Sequence, residues 1–241
     1  MNVILAAENL QKRFGAVSAA ADVTLAFERD SVVSLIGANG AGKTTFLNMV
    51  TGYLRPDSGR IRFDGQDLVG RTPREITALG LSRSFQIPQL FNTLSVRENL
   101  IVAEGIAGAQ QVEEASDALL ERLALAEYAA RPAGLLPEGI RKLLDVAMAL
   151  VAGPKLLLLD EPTSGVAADE KFAIMDLVMA AVRGEGVTVL FVEHDMEIVS
   201  RYAQRVVAFY DGRIICDGSP AKVLDASEVR RYVIGEVHAA A

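Results

Sequence analysis

An α/β chain built on a mostly parallel sheet is the fold the sequence predicts, and three observations predict it. Short apolar runs alternate with helix-period segments: 32–36 then 44–50, and 155–159 then 171–182 then 187–192. Glycine turns punctuate them, from Gly37 to Gly42 after the first run and at Gly184-Glu185-Gly186 before the last. Between these units, from about Pro88 to Gly153, no strand pattern occurs and the periodicity is helical. Strand–helix–strand alternation requires right-handed crossovers and yields parallel pairing buried on both faces.

Taken in order, Val32-Val33-Ser34-Leu35-Ile36 reads as a buried strand, and 44–50 as a short helix stopped at Gly52. Ser95-Val96-Arg97-Glu98 is a capping box, in which serine and glutamate satisfy each other's backbone N–H groups and open a helix. A second helix is expected over 112–127, with Leu119, Leu120, Leu123 and Leu125 on its apolar side. Ile140, Leu143, Leu144, Ala147 and Val151 recur at helical spacing in a third, which ends at Gly153-Pro154. Strand 155–159, helix 171–182 and strand 187–192 follow. Strand 206–210 then turns at Asp211-Gly212 into 213–216, a strong hairpin signal. The expected organisation is one domain, with 1–87 and 153–241 as the α/β core and 88–152 as an inserted helical lobe. The tail His238-Ala239-Ala240-Ala241 is expected to fray.

Composition narrows the function. At 241 residues and 51% hydrophobic content the chain has ample material for a core. A net charge of -7, with Lys and Arg scattered singly or in pairs, argues against nucleic acid as the main ligand. Cys216 is the only cysteine, so an intrachain disulfide and the zinc spacings are excluded and a reducing cytoplasm is expected. The start Met1-Asn2-Val3-Ile4-Leu5 lacks the basic region and cleavage site of a secretion signal. No run approaches the roughly 18 apolar residues that span a bilayer. The greasiest, 143–152, is interrupted by Asp145. A soluble chain that offers an apolar face to a partner is the expectation.

Two segments carry the chemistry. Gly37-Ala38-Asn39-Gly40-Ala41-Gly42-Lys43-Thr44 is a complete G-x-x-x-x-G-K-[ST] phosphate loop, with Thr45 following it. Its glycines let several backbone N–H groups turn toward one anion at the positive end of a helix. Lys43 bridges the outer phosphates, and the Thr44 hydroxyl ligates Mg²⁺. Leu156-Leu157-Leu158-Leu159-Asp160-Glu161 is an apolar strand ending in two acids. Asp160 is placed to hold Mg²⁺ through water, and Glu161 to orient and deprotonate the attacking water, because phosphoryl transfer rests on positioning and charge. The pair predicts an ATP-hydrolysing protein using Mg²⁺. His194 falls just past strand 187–192, where ligands of parallel sheets bind. A γ-phosphate contact and a purely structural histidine are its two readings.

With these motifs the chain resembles the ATP-binding cassette family over nearly its whole length. The resemblance implies a P-loop NTPase cassette: a mostly parallel RecA-like sheet, an antiparallel β subdomain and an inserted helical lobe. It identifies Gln86, in Ser84-Phe85-Gln86, with the family's glutamine loop, which senses Mg²⁺ and water and relays to the membrane subunit. Phe14, in Lys12-Arg13-Phe14-Gly15, matches the aromatic that stacks on adenine, an ordinary core phenylalanine being the other reading. His194 matches the switch histidine. The Leu-Ser-Gly-Gly-Gln signature aligns with Leu136-Pro137-Glu138-Gly139-Ile140, so Pro137, Glu138 and Gly139 are candidate nucleotide contacts.

Within the family the chain is most similar to the ATPase subunits of bacterial branched-chain amino acid uptake systems. The stretches that carry this are Arg83-Ser84-Phe85-Gln86 with Leu90-Phe91 and Val96-Arg97-Glu98-Asn99-Leu100, Val192-Glu193-His194-Asp195-Met196, and Arg231-Tyr232-Val233-Ile234-Gly235-Glu236. Such a subunit sits at the cytoplasmic face of the inner membrane. Its partners are transmembrane permease subunits, a second ATPase subunit (another copy or a relative) and, indirectly, a periplasmic binding protein. Permease docking is expected on 87–99, through Pro88, Leu90, Phe91 and Leu94. Similar cassettes serve urea, amides and aromatic acids, or lipopolysaccharide export. A DNA-maintenance cassette would need coiled-coil arms or zinc cysteines, and a translation-associated one two cassettes; this sequence has neither.

Two departures stand out. Pro137 replaces the signature serine and removes a hydroxyl, while Glu138 brings a carboxylate toward a triphosphate, an unfavourable like-charge approach unless the side chain turns away. Ala167 stands where the family has an aspartate. Either the two composite sites of an asymmetric heterodimer hydrolyse at different rates, or contacts from Gly139 suffice and both sites are competent.

Overall fold

The computed structural model describes residues 2–107 and 112–235; the expectation for the tail 238–241 lies outside them. In chain order the elements begin with β1 (Val3–Phe14), β2 (Val17–Glu28), β3 (Val32–Ile36), α1 (Lys43–Val50), β4 (Ser58–Phe63) and β5 (Gln66–Asp67). Next come α2 (Pro73–Ala78), β6 (Leu81–Ser84), α3 (Val96–Ala107), α4 (Val112–Arg122) and α5 (Glu138–Leu150). The remainder is β7 (Leu156–Asp160), α6 (Lys171–Val182), β8 (Thr188–Val192), α7 (Met196–Tyr202), β9 (Arg205–Tyr210) and β10 (Arg213–Gly218). Helices α8 (Pro220–Asp225) and α9 (Ser227–Val229) close the described chain, α9 running into a π-turn at Arg230–Ile234. The chain divides into two compact units: Met1–Ile76 with Thr188–Ala241, and Thr77–Val187.

The first unit holds two sheets. Long strands β1 and β2, which the residue pattern alone had not announced, join β4 and β5 in an antiparallel sheet of order β2-β1-β4-β5. Val23, Leu25 and Phe27 alternate with exposed residues along β2, so one face is buried and the other meets water. In the other sheet β3 pairs in parallel with β8 and β9, and β10 returns antiparallel to β9. Helix α1 joins the two layers through Phe46, whose ring centroid lies 6.2 Å from that of Phe27 and 6.0 Å from that of Phe209. All three rings are fully buried, and they fix where the helix after the glycine loop begins.

The second unit pairs β6 with β7 in parallel and carries α3 to α6. The capping box at α3 forms as expected: the Ser95 N–H donates to Glu98 Oε2 at 2.7 Å and the Glu98 N–H to Ser95 Oγ at 3.2 Å. Helix α4 is shorter than expected. It ends at Arg122, not 127, because Ala124 adopts φ +53° and the Leu125 N–H turns back to the Leu120 carbonyl at 2.7 Å. Leu123 and Leu125 still reach the core, but from beyond the helix.

Helix α5 turns its apolar residues inward. Leu143, Leu144, Val146, Ala147 and Leu150 are all buried, and Lys142 and Asp145 are buried with them. Asp145 accepts hydrogen bonds from the backbone N–H groups of Phe85 (2.8 Å) and Gln89 (2.9 Å). Burial pushes its carboxyl up to about 6, against the lowering effects of the Gln89 and Phe85 N–H groups and the Lys142 charge.

Two predictions follow from this packing. Ala124 is exposed and left-handed, so Ala124→Gly relieves backbone strain without losing contacts and raises unfolding stability by about 1 kcal/mol; denaturant melts read it. For Asp145 the folded chain holds a proton that the unfolded chain has already released. Its contribution is therefore full below about pH 4 and declines as pH rises through about 6. The stability of the wild type relative to Asp145→Asn should fall across that window by on the order of 2–3 kcal/mol. A flat or rising difference contradicts it.

Candidate nucleotide and catalytic site

In the first unit the glycine loop leaves the C-terminal end of β3, between β8 and β9. Close approach dictates its glycines. A Cβ on Gly37 would lie 2.5 Å from the Phe209 carbonyl oxygen, and one on Gly42 2.4 Å from that of Ala19; both have positive φ. The β9–β10 turn supports the loop directly: the Gly212 N–H donates to the Ala41 carbonyl at 3.0 Å, and the Ala21 N–H to the Gly212 carbonyl at 2.8 Å. Asp211 and Gly212 both have positive φ, as a tight hairpin requires. The sequence pointed to the turn but not to this use of it.

Lys43 is buried, and its Nζ donates to the carbonyls of Gly37 (2.6 Å) and Ala38 (3.1 Å), so the ammonium lies along the loop. Asn39, Gly40 and Thr44 are exposed, Thr45 is half-buried and Ala41 is buried. Helix α1, with Gly42 at its N-cap and no side-chain cap hydrogen bond, directs its first N–H groups and the positive end of its dipole at the loop. His194 is exposed two residues past β8, on the same strand-end edge, and Asp195 beside it caps α7 by accepting from the Glu197 N–H. Phe14 ends β1 and is 52% exposed, with Lys12 Nζ 5.7 Å from its ring centroid; it is not a core residue.

In the second unit β7, wholly buried, delivers Asp160 and Glu161. Asp160 Oδ2 accepts from Arg83 Nη2 at 2.6 Å, a pair in which both side chains are almost sealed from water. Glu161 adopts φ +52°, a strained conformation for a residue with a long side chain. Gln86 Nε2 donates to Glu161 Oε2 at 2.8 Å. The Glu161 carbonyl accepts from the Ser164 N–H at 3.1 Å and from Lys142 Nζ at 3.2 Å, and Lys142 Nζ also donates to the Gln86 carbonyl. Arg83, Lys142 and Asp145 were not legible as site residues: each partner lies more than a helix length away in sequence.

The signature segment and its neighbourhood lie in the same unit. Pro137 is the N-cap of α5 and makes no side-chain cap hydrogen bond; it and Glu138 are exposed. Gly139 is buried against α6, where a Cβ would lie 3.0 Å from Ile174 Cδ1. Ala167 is exposed, its carbonyl accepting from the Glu170 and Lys171 N–H groups as α6 begins.

After Gln86, Ile87 (73%) and Phe91 (44%) face outward, Leu90 and Leu94 are half-buried, and Pro88 is buried, which corrects its expected place on the docking face. The Asp145 carboxylate holds the backbone of the neighbouring Gln89. Buried Asn99 shapes the rest of the loop, accepting from the Phe91 N–H and donating to the carbonyls of Phe91, Leu94 and Ser95. Arg97 is paired with Asp117 within the unit.

Comparison with known proteins identifies the family. Residues 20–164 match the family described as ABC transporter. The chain is 34% identical to the high-affinity branched-chain amino acid transport ATP-binding protein BraF of Pseudomonas aeruginosa, across 97% of this chain and 98% of that one. It is likewise 34% identical to the corresponding LivG protein of Escherichia coli K12, with the same coverage. Among solved structures, an ATP-binding cassette of an ABC transporter in its ADP conformation superposes with a TM-score of 0.88 at 33% identity, covering 98% of this chain and 100% of that one. Matched by the family model over residues 20–164 and by these relatives over nearly its whole length, the chain belongs to the ABC transporter family, a P-loop cassette that hydrolyses ATP.

Proposed function

We propose that this chain energises an importer for branched-chain amino acids, as a peripheral subunit at the cytoplasmic face of the membrane. The observation that carries this is identity of 34% over nearly the full length of BraF, a branched-chain amino acid transport ATP-binding protein. Among the described residues no helix is long and apolar enough to cross a membrane, so translocation falls to permease subunits. Ile87 and Phe91, outward on a loop held by Asp145 and Asn99, supply the apolar docking surface. A periplasmic binding protein would act through those permease subunits.

Each candidate residue takes one role. The N–H groups of Gly37, Asn39, Gly40, Ala41, Gly42 and Thr45, with Lys43, hold the phosphates; Phe14 stacks on adenine; His194 contacts the γ-phosphate; Glu161 takes the water's proton. For Mg²⁺, Thr44 in the first unit offers a hydroxyl, and Asp160 and Gln86 in the second offer a carboxylate and an amide oxygen, each a hard oxygen of the kind that ion takes. When bound it neutralises phosphate charge. The two compact units form one cassette domain in this reading.

The chain pairs with a different ATPase subunit. Its own Lys43, Asp160, Glu161 and His194 are intact, whereas Pro137 and Glu138 present neither hydroxyl nor neutral surface to a second nucleotide. Gly139, buried against Ile174, remains the signature's contribution through the α5 N-terminus.

In proteoliposomes carrying the permease subunits, the partner ATPase and the binding protein, ATP should drive leucine uptake. Lys43→Ala should lower it by about tenfold or more. Uptake of urea, an amide or an aromatic acid instead of leucine, or export of a lipid, would overturn the solute assignment. Phe91→Ala should weaken permease-stimulated ATPase several-fold and leave ATP affinity unchanged; loss of ATP affinity would place Phe91 in the fold.

A further inference from the structure

We propose that Lys142 and Asp145 of α5 are positioning residues for hydrolysis, which hold the Gln86–Glu161 pair in register. The inference rests on the reading that Glu161 is the base, and adds how its position is maintained.

Lys142 is only 3% exposed, and burying an ammonium is costly unless its protons are spent on good acceptors. Two of its acceptors are informative: the backbone carbonyls of Gln86 and Glu161, the two residues whose side chains are joined at 2.8 Å. One ammonium therefore ties the backbones of the pair while their side chains bind each other. Glu161 needs the tie most, because a left-handed φ of +52° persists only where surrounding contacts over-determine it.

Asp145 lies one helical turn further along the same face of α5. Its two oxygens accept from the N–H groups of Phe85 and Gln89, one on either side of Gln86. A rigid helix thus grips the loop before, at and after Gln86, and grips Glu161 as well. Neither side chain is free to serve nucleotide in addition, since both are buried among backbone groups.

A positioning role has a signature that a merely structural one lacks. Lys142→Met keeps the stem but removes the ammonium, leaving the Glu161 backbone free to relax. It should lower kcat of the full chain by about tenfold or more while ATP KM stays within about twofold. Lys142→Arg should recover part of the loss, since it restores a cation with several donors. Asp145→Asn swaps one acceptor for a donor; it should lower kcat and speed hydrogen exchange at the Phe85 and Gln89 amides.

Glu161→Gln, assayed in parallel, separates the two claims. If it abolishes turnover and Lys142→Met leaves kcat within about twofold of wild type, the positioning role is wrong and the base assignment stands. If Glu161→Gln turns over normally, the base assignment itself is wrong. Parallel losses of kcat, ATP affinity and melting temperature in both α5 variants, without recovery in Lys142→Arg, would reduce the cluster to ordinary core support.

Discussion

Glu161 sits at the end of a strand with no exposed side chain, in a backbone conformation that its side chain disfavours. That strain is the constraint on which the second unit is arranged. An extended continuation of β7 would carry the carboxylate along the strand; the left-handed turn lets it meet Gln86 instead. Holding the turn takes the Ser164 N–H and the buried Lys142 ammonium on one carbonyl. Arg83 secures the neighbouring Asp160 in the same way. The charges that surround these acids are spent on geometry.

The first unit solves a parallel problem with steric means. Its loop is fixed by closeness, with Gly37 against the Phe209 carbonyl and Gly42 against that of Ala19, so side chains are excluded where an anion must approach backbone N–H groups. The Asp211-Gly212 turn presses on the loop from one side, and Phe46 anchors its helix from within. Fully buried parallel strands beneath make the strand ends a stable edge, and His194 stands on it.

Much of this was legible because local patterns and global fold agree. The apolar runs became β3, β7, β8 and β9 within a residue or two, and the capping box opened α3. The phosphate loop and acid pair are local motifs, and local motifs survive reading one segment at a time. What stayed hidden depends on distance. Asp145 read as an interruption of a greasy run; only the folded chain shows that 85 and 89 come to it. Pro88 looked like docking surface because its apolar character is visible in the sequence and its burial is not. Helix α4 stopped early because an alanine took a conformation that usually announces itself as glycine.

In the reading proposed above, the chain combines a complete set of hydrolytic groups with a signature that lacks its hydroxyl. Both halves of that description meet in one question: whether two copies suffice. With Glu161 as the proposed base, replacing it by glutamine should remove the base, keep the shape and let bound ATP persist. The decisive measurement is the mass in solution of Glu161→Gln with and without Mg²⁺-ATP. The account predicts that the protein binds ATP and remains a monomer, dimerising only when a related subunit with an intact signature is added. Conversion to a homodimer by ATP alone would contradict it.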